Sequence, residues 1–392
     1  MKILYHHRLG SKDGQMVHVE EIVRALTDLG HDVVVVGPPA TERAIFGGDV
    51  GFIAKLKKGV PARLYELLEL AYGFVAFWRL WRACRRERPD VLYERYNLFL
   101  LAGAWLRRLT GIPMLLEVNG PLAYERRRFG VLVNEKLATW IEGITWRSAD
   151  FVLPVTNVLA GFVQRAGVNP ERIVVIQNGV SPKFLAGTAD RTKIRRRLGV
   201  EDRLVLGFTG FMRDWHGLDS VIDLIAESDP RWNTHLLLVG DGPALSELRH
   251  QAATRNVADR VTFAGVVARE EIADYVAAFD IAMQPQVVAY ASPLKLFEYM
   301  GLGRAIVAPS TPNICEVLTD GVNALLFDPA DASAFRTAVE RLCKDAALRE
   351  RLGRAARSAV DQQGLTWASN ARRIVALFES LCAERGAPQM AG

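Results

Sequence analysis

The stretch "SPKFLAGTADRTKIRRRLG" (181–199) interrupts an otherwise regular chain. It holds no strand-like apolar run and its second half opens a charged helix, so it reads as a linker near 180–190. On its N-terminal side, "KILYHH", "DVVVVGP", "DVLYERY", "PMLLEVNG", "DFVLPVT" and "RIVVIQNG" are short, rich in Val, Ile and Leu, and stopped by Gly, Pro or Asn. That is the pattern of strands. Helical stretches such as Val17–Leu29, Leu98–Leu109 and Glu135–Arg147 separate most of them. On its C-terminal side the cycle restarts with "LVLGFTG", "THLLLVGDG", "RVTFAGVV", "DIAMQPQ", "RAIVAPS" and "NALLFDP". Continuously apolar strands alternating with helices mean parallel sheets covered on both faces. The chain is therefore expected to be α/β, with two Rossmann-like domains, 1–185 and 186–365, facing across a cleft. Residues 366–392, opening with "TWASNARRIVALFESL" from 366, are expected to form a helix placed to fold back over the cleft or the first domain.

Size and composition agree with two cores. At 392 residues the chain exceeds the range in which one core keeps growing. Half the residues are apolar and 24% are charged, as in a soluble globular protein. Cys84, Cys315, Cys343 and Cys382 are scattered without a CxxC pair, which suits a reducing compartment and argues against structural zinc. The N-terminus "MKILYHHRLG" turns polar after one short strand, unlike a secretory leader, and no run approaches the roughly 20 apolar residues of a spanning helix. A cytoplasmic location is expected.

The net charge of +5 is unevenly placed: residues 51–130 hold 15 Lys/Arg against 7 Asp/Glu. Within them, "KLKKGVPARLYELLELAYGFVAFWRLWRACRRER" (55–88) mixes basic residues with Tyr72, Phe74, Phe77, Trp78 and Trp81. Basic residues beside aromatics suit an anionic membrane surface at the inner face, and a packed helix with solvated arginines is the alternative. No nucleic-acid-binding motif accompanies the charge, so a nucleic-acid partner is not expected.

In open parallel sheets ligands bind beyond the carboxyl ends of the strands, so the residues following each strand carry the functional reading. After the first strand, Gly10 and Gly14 lead into a helix and could let backbone N–H groups approach an anion, or simply connect strand to helix. The dinucleotide fingerprint GxGxxG is absent. "GFTGFMRDWHGLDS" leaves a strand through Gly210, offers Arg213 and His216, and re-enters a helix near Leu218. A cation beside a helix start is suited to phosphate. "VGDGP" adds a strand-end turn with Gly240 and Gly242.

"ASPLKLFEYMGLG" (291–303) places Ser292 and Pro293 as N-cap and first helical residue. Lys295 and Glu298 then share a face of a helix whose Leu294, Leu296, Phe297 and Met300 are apolar. Lys295 and the free N–H groups could hold a diphosphate, with Glu298 accepting two hydrogen bonds from a ribose. An i,i+3 salt bridge on a wet face is the alternative. Asn119 ends the strand "PMLLEV", where its amide would point toward a ligand or cap the loop. No DxD pair occurs in the sequence, which removes a common way of holding a divalent ion on a sugar diphosphate. Arg213 and Lys295 would then take the leaving group's charge.

These motifs together resemble the family 4 retaining glycosyltransferases. The resemblance rests on "VHVEEIVRAL", the "NGV" at 178–180, "GFMRDWHGLD", "LLLVGDGP", "VTFAGVV", "PLKLFEYMGLGRAIVAPS" and "EVLTDGVNALLF", and covers nearly the whole chain. It implies a GT-B fold and a nucleotide-diphosphate sugar, of UDP or GDP type, as donor; with no DxD pair, no metal and no separate cofactor are expected. It implies that Arg213 and Lys295 contact the diphosphate, and that Glu298 binds the ribose. It further implies that "AGVV" (264–267), with Val266 and Val267, reads the base through backbone groups, and that Gly14 lies against phosphates or acceptor. Gly210, His216, Gly240, Tyr290, Ser292, Pro293 and Leu294 complete the expected donor site. Three positions depart from the family: Tyr290 stands eight residues before Glu298 where a glutamate is frequent, Asn119 replaces a histidine, and His216 replaces a lysine. "EVNGPLAYER" with "SPLKLFEYM" resembles a bacterial subgroup that builds polysaccharides or lipid-linked glycans, which implies a glycan or lipid-linked acceptor. A sugar-nucleotide epimerase of the same fold, or a non-catalytic nucleotide-sugar binder, are the rival readings.

Overall fold

The computed structural model describes residues 1–10, 14–38, 60–128, 130 and 132–386. The chain divides into two compact units, Met1–Gln177 with the C-terminal stretch from Trp367, and Asn178–Thr366. Each is a parallel α/β sandwich of its own.

In the first unit, β1 (Lys2–His6), β2 (Asp32–Val36), β3 (Val91–Arg95), β4 (Met114–Val118) and β5 (Phe151–Pro154) form a parallel sheet in the order β2-β1-β3-β4-β5. Every residue of β3 and β4 is buried, because helices cover both faces. Those helices are α1 (Gly14–Asp28), α2 (Ala62–Glu87), α3 (Ala102–Thr110), α4 (Leu122–Arg128), α5 (Glu135–Arg147) and α6 (Asn157–Arg165). Leu4, Leu92, Met114, Leu116, Leu106 and Trp146 lie at the centre of one core layer.

The stretch "RIVVIQNG", expected as a strand, is not one. Ile173 makes a single bridge to Val152, and the N–H groups of Val174 and Ile176 donate to Val152 and Pro154 of β5. The outward carbonyls of Val175 and Gln177 are taken instead by Arg373 and Asn370, from the C-terminal helix. Side chains thus stand where the next strand of a ladder would stand.

The second unit holds β6 (Leu204–Thr209), β7 (Thr234–Val239), β8 (Val261–Gly265), β9 (Ile281–Met283), β10 (Ala305–Pro309) and β11 (Leu325–Phe327), all parallel, in the order β11-β10-β9-β6-β7-β8. Around it lie α7 (Arg191–Leu198), α8 (Leu218–Glu227), α9 (Leu245–Thr254), α10 (Ile272–Ala277), α11 (Leu294–Gly301), α12 (Ala334–Lys344) and α13 (Ala346–Gln362). Two apolar layers, one around Phe279, Leu296 and Tyr299 and one around Phe208, Ile222 and Leu236, flank the sheet.

The boundary at 185/186 read from the sequence lies elsewhere in the structure, at Gln177/Asn178. Val180 and Phe184 are buried in the second unit's core, and a Cβ added at Gly301 would meet Val180 at 2.8 Å. These residues are therefore part of that fold and not of a linker. α14 (Trp367–Gly386) belongs to the first unit and packs on α1, with the Trp367 ring edge-on to His18 at 4.8 Å between centroids.

Candidate active site

In the second unit, Tyr299 of α11 ties the helix to the carboxyl end of β6. Its buried hydroxyl accepts the Thr209 N–H at 2.9 Å. This bond brings the first turn of α11 against the turn after β6. Lys295 Nζ then lies 3.5 Å from the centroid of the Phe208 ring, a cation–π geometry. The same ammonium would be 3.2 Å from a Cβ at Gly210, where φ is +127°. Burial pushes the Lys295 ammonium down to about 7, and the nearby Glu298 carboxylate opposes that fall.

Arg213 follows in the same turn and is exposed, with its guanidinium 4.9 Å from the Phe211 ring centroid. His216 is buried, and its Nδ1 accepts the Arg213 N–H at 3.1 Å. A backbone N–H only donates, so Nδ1 is unprotonated and Nε2–H remains a donor. Burial, then Lys295 and Arg213, hold the imidazole far below its ordinary value. His216 is thus neutral and adds a donor to the site while the cations are Arg213 and Lys295.

The helix start differs from the expected cap. Pro293 occupies the N-cap position of α11 in an extended conformation, with no side-chain cap hydrogen bond, and Leu294 opens the helix. Ser292 contributes its backbone carbonyl, which accepts from Asn178 Nδ2 at 2.6 Å. The preceding loop is pinned in the same way, with Asn313 Nδ2 donating to the carbonyls of Val288 (3.2 Å) and Ala291 (2.7 Å). Gln284 Nε2 donates to Gln286. Buried amides therefore hold the carbonyls, and the first N–H groups of α11 have no side-chain cap. Tyr290 is buried beside this loop.

Gly240 and Gly242 serve backbone approach. A Cβ on Gly240 would meet the Gly210 carbonyl at 2.1 Å, and one on Gly242 would meet that of Met212 at 2.1 Å. The Gly240 Cα therefore faces Gly210, which accounts for glycine there without a ligand. Val266 is exposed after β8, and Val267 is partly buried against the core.

In the first unit a buried carboxylate organises the carboxyl edge of the sheet. Glu117 of β4 accepts from His18 Nε2 (2.8 Å), Tyr93 Oη (2.8 Å), Arg95 Nη1 and Asn119 Nδ2 (2.5 Å). Burial alone would raise its pKa, but His18, Arg95 and the donated bonds hold it well below the usual carboxylate range. Asn119 is half-buried, with its amide nitrogen on Glu117 and not directed outward as the strand-end reading expected. A second buried pair, His6 Nδ1 and Glu94 Oε2 at 2.5 Å, lies at the same edge. Gly14 is the exposed first residue of α1, and residues 11–13 of the glycine loop lie outside the described residues. Among the described residues no cluster of His, Cys, Asp or Glu has metal-binding geometry.

Sequence reasoning missed Tyr299, Glu117, Asn178 and Asn313. Tyr299 and Glu117 look like core positions of a helix and a strand, and only the partner atoms identify their roles.

Two family descriptions match, "Glycosyl transferase 4-like domain" over residues 13–179 and "Glycosyl transferases group 1" over residues 203–345. Among curated relatives, the alpha-D-kanosaminyltransferase of Streptomyces kanamyceticus is 25% identical over 84% of this chain and 92% of its own length. The mannosylfructose-phosphate synthase of Agrobacterium fabrum is 25% identical over 95% of this chain and 88% of its own. Among solved structures, Anabaena HepE in complex with UDP and glucose superposes with a TM-score of 0.74 and 21% identity, covering 97% of this chain and 100% of that one. The sucrose-phosphate synthase of Thermosynechococcus elongatus gives 0.78 at 19% identity, covering 98% and 100%. With two parallel α/β units, each carrying its half of the family pattern, the chain belongs to the GT4-type glycosyltransferases of GT-B fold.

Proposed function

We propose that this glycosyltransferase is a retaining, metal-independent enzyme that moves a hexosyl group from a UDP- or GDP-type sugar to a glycan or lipid-linked acceptor. The observation that carries the reading is the convergence of Lys295, Arg213 and the uncapped start of α11 on the turn at Gly210. Two cations, a neutral His216 Nε2–H and free backbone N–H groups form a preorganised site for a diphosphate, and a helix start adds its positive dipole end. Glu298, one turn along, is suited to the ribose hydroxyls. The bond between the sugar's anomeric carbon and the diphosphate oxygen breaks with its electron pair going to that oxygen. The acceptor hydroxyl then bonds to the same face of the carbon and gives its proton to the departing phosphate. The protein's part is to neutralise the leaving charge, which is worth most where water is excluded.

The UDP complexes of HepE support a uridine donor, and the relatives' transferase names support transfer over donor binding alone. A thermal-shift panel of UDP, GDP and their hexose conjugates, followed by NMR of the product's anomeric signal, tests this. Inverted configuration, or epimerised nucleotide sugar with no transfer, would reject it.

A specific surface favours a peripheral location at the inner face of an anionic membrane. On α2, Leu64, Leu67, Leu68, Phe74, Val75 and Trp78 recur at helical spacing and are exposed, Phe74 to 63% and Trp78 to 54%. The same helix ends in the exposed arginines Arg79, Arg82, Arg85 and Arg86. An apolar stripe joined to a basic end fits lipid tails and acidic headgroups. No described helix is long and apolar enough to cross a membrane. Residues 55–59 of the basic stretch lie outside the described residues. Co-sedimentation with phosphatidylglycerol vesicles, but not with phosphatidylcholine vesicles, and its loss in a Phe74→Ser/Trp78→Ser variant is the expected result. Equal sedimentation of variant and wild type would remove this surface from the account.

A further inference from the structure

Asn119 stands two residues after Glu117, just past the carboxyl end of β4, where open parallel sheets bind ligands. At 2.5 Å from a carboxylate oxygen, only the amide nitrogen can face Glu117, because a carboxylate has acceptors and no donor. The usual ambiguity between amide oxygen and nitrogen is thereby removed. The Asn119 carbonyl oxygen has no partner among the described residues. Glu117 itself is over-determined: His18 from α1, Tyr93 and Arg95 from β3 and Asn119 all donate to it. Tyr5 of β1, stacked on Tyr93 at 5.1 Å, also packs beside it, and the Glu125 carboxylate of α4 faces the same turn, its Oε1 2.5 Å from where a Cβ on Gly120 would stand.

We propose that Glu117 is a positioning residue that fixes which way the Asn119 amide faces, so that the Asn119 carbonyl oxygen accepts a hydrogen bond from a substrate sugar hydroxyl. The proposal rests on the glycosyl-transfer reading. His18, Arg95 and Tyr93 act on Asn119 only through Glu117.

Asn119→Asp tests this orientation. Two carboxyl groups at this distance do not both ionise readily, so one proton is shared between positions 117 and 119. With the proton at 119, its O–H donates to Glu117 and its C=O still faces outward, reproducing the amide. As pH rises the proton leaves, the two anions repel, and the arrangement is lost. The ratio of variant to wild-type kcat/KM, with whichever of UDP-glucose or GDP-mannose the wild type turns over, should fall at least tenfold between pH 6 and pH 9. The melting temperature of the variant relative to wild type should fall over the same range, since an acid whose pKa is raised by folding loses its contribution as pH rises. In Glu117→Gln/Asn119→Asp the glutamine amide donates to the new carboxylate, so both pH dependences should vanish. A ratio that is flat or rises with pH in the single variant overturns the proposal, as does persistence of the dependence in the double variant. Absence of any transfer by the wild type would overturn the glycosyl-transfer reading instead, and the melting series, which needs no substrate, still decides the Glu117–Asn119 contact.

Discussion

Lys295 Nζ and the ring of Phe208 lie 3.5 Å apart, with Gly210 leaving just enough room for the ammonium beside the turn. The lysine is thus held by an aromatic face and a missing side chain, two contacts that leave its N–H donors available. Its charge is costly in the free protein, since burial pushes it down to about 7. An anion arriving at the start of α11 restores the favourable state.

Lys295→Ala should lower kcat/KM by about 10²–10³-fold, on the order of 2.7–4 kcal/mol, as for loss of one preorganised donor at a developing anion. Glu298→Ala should act mainly on KM for the donor, because ribose contacts are equal in ground and transition states. Steady-state kinetics with saturating acceptor separates the two. A Lys295→Ala enzyme within threefold of wild type would remove Lys295 from the stabilisation of the leaving group.

Nucleotide affinity should depend on pH through Lys295. The free protein holds this group near 7, and a bound diphosphate raises it, so binding takes up a proton above about 7. Affinity for UDP or GDP is then full below about 7 and declines as pH rises toward 9, by up to about tenfold per pH unit. Calorimetry in buffers of different ionisation enthalpy measures the uptake directly. Lys295→Ala should flatten the profile, and an unchanged slope in that variant would place the titrating group elsewhere.

Tyr299→Phe should destabilise the second unit by about 1–3 kcal/mol, because it leaves the buried Thr209 N–H without an acceptor. Urea unfolding checks this, with the m-value expected to stay constant. Since the same bond sets α11 against β6, donor affinity should fall together with stability.

Transfer should persist in EDTA without restoration by magnesium or manganese being required. The expectation rests on Arg213 and Lys295 as the charges that meet the diphosphate, and on the absence of a DxD pair from the sequence. Activity lost in EDTA and recovered with either ion would show that these cations do not suffice.

Much of the fold is legible in local pattern. Strands such as "PMLLEV" and "THLLLV" announce themselves because a parallel strand buried on both faces must be apolar throughout, and β4 and β7 are buried along their whole length. "RIVVIQNG" has the same composition and is no strand, because its outward carbonyls are claimed by Asn370 and Arg373, nearly 200 residues later in the chain. Pattern alone cannot see a competitor for a backbone group. The same limit explains Pro293, which stands in the N-cap position that local statistics assign to Ser292, whose carbonyl is held by Asn178.

The candidate site divides along the same line. By itself the sequence determined the two α/β bodies, the strand-end turns at Gly210 and Gly240, and the pairing of Lys295 with Glu298 on one helical face. All of these follow from periodicity and from what glycine and proline do to the backbone within a few residues. The tertiary structure decided what those groups are chemically. It made His216 a neutral donor by burying it beside two cations, assigned Gly240 to backbone packing, and turned the Asn119 amide onto Glu117. Protonation state, rotamer and hydrogen-bond direction depend on the field and partners contributed by distant segments, and those exist only once the chain has folded.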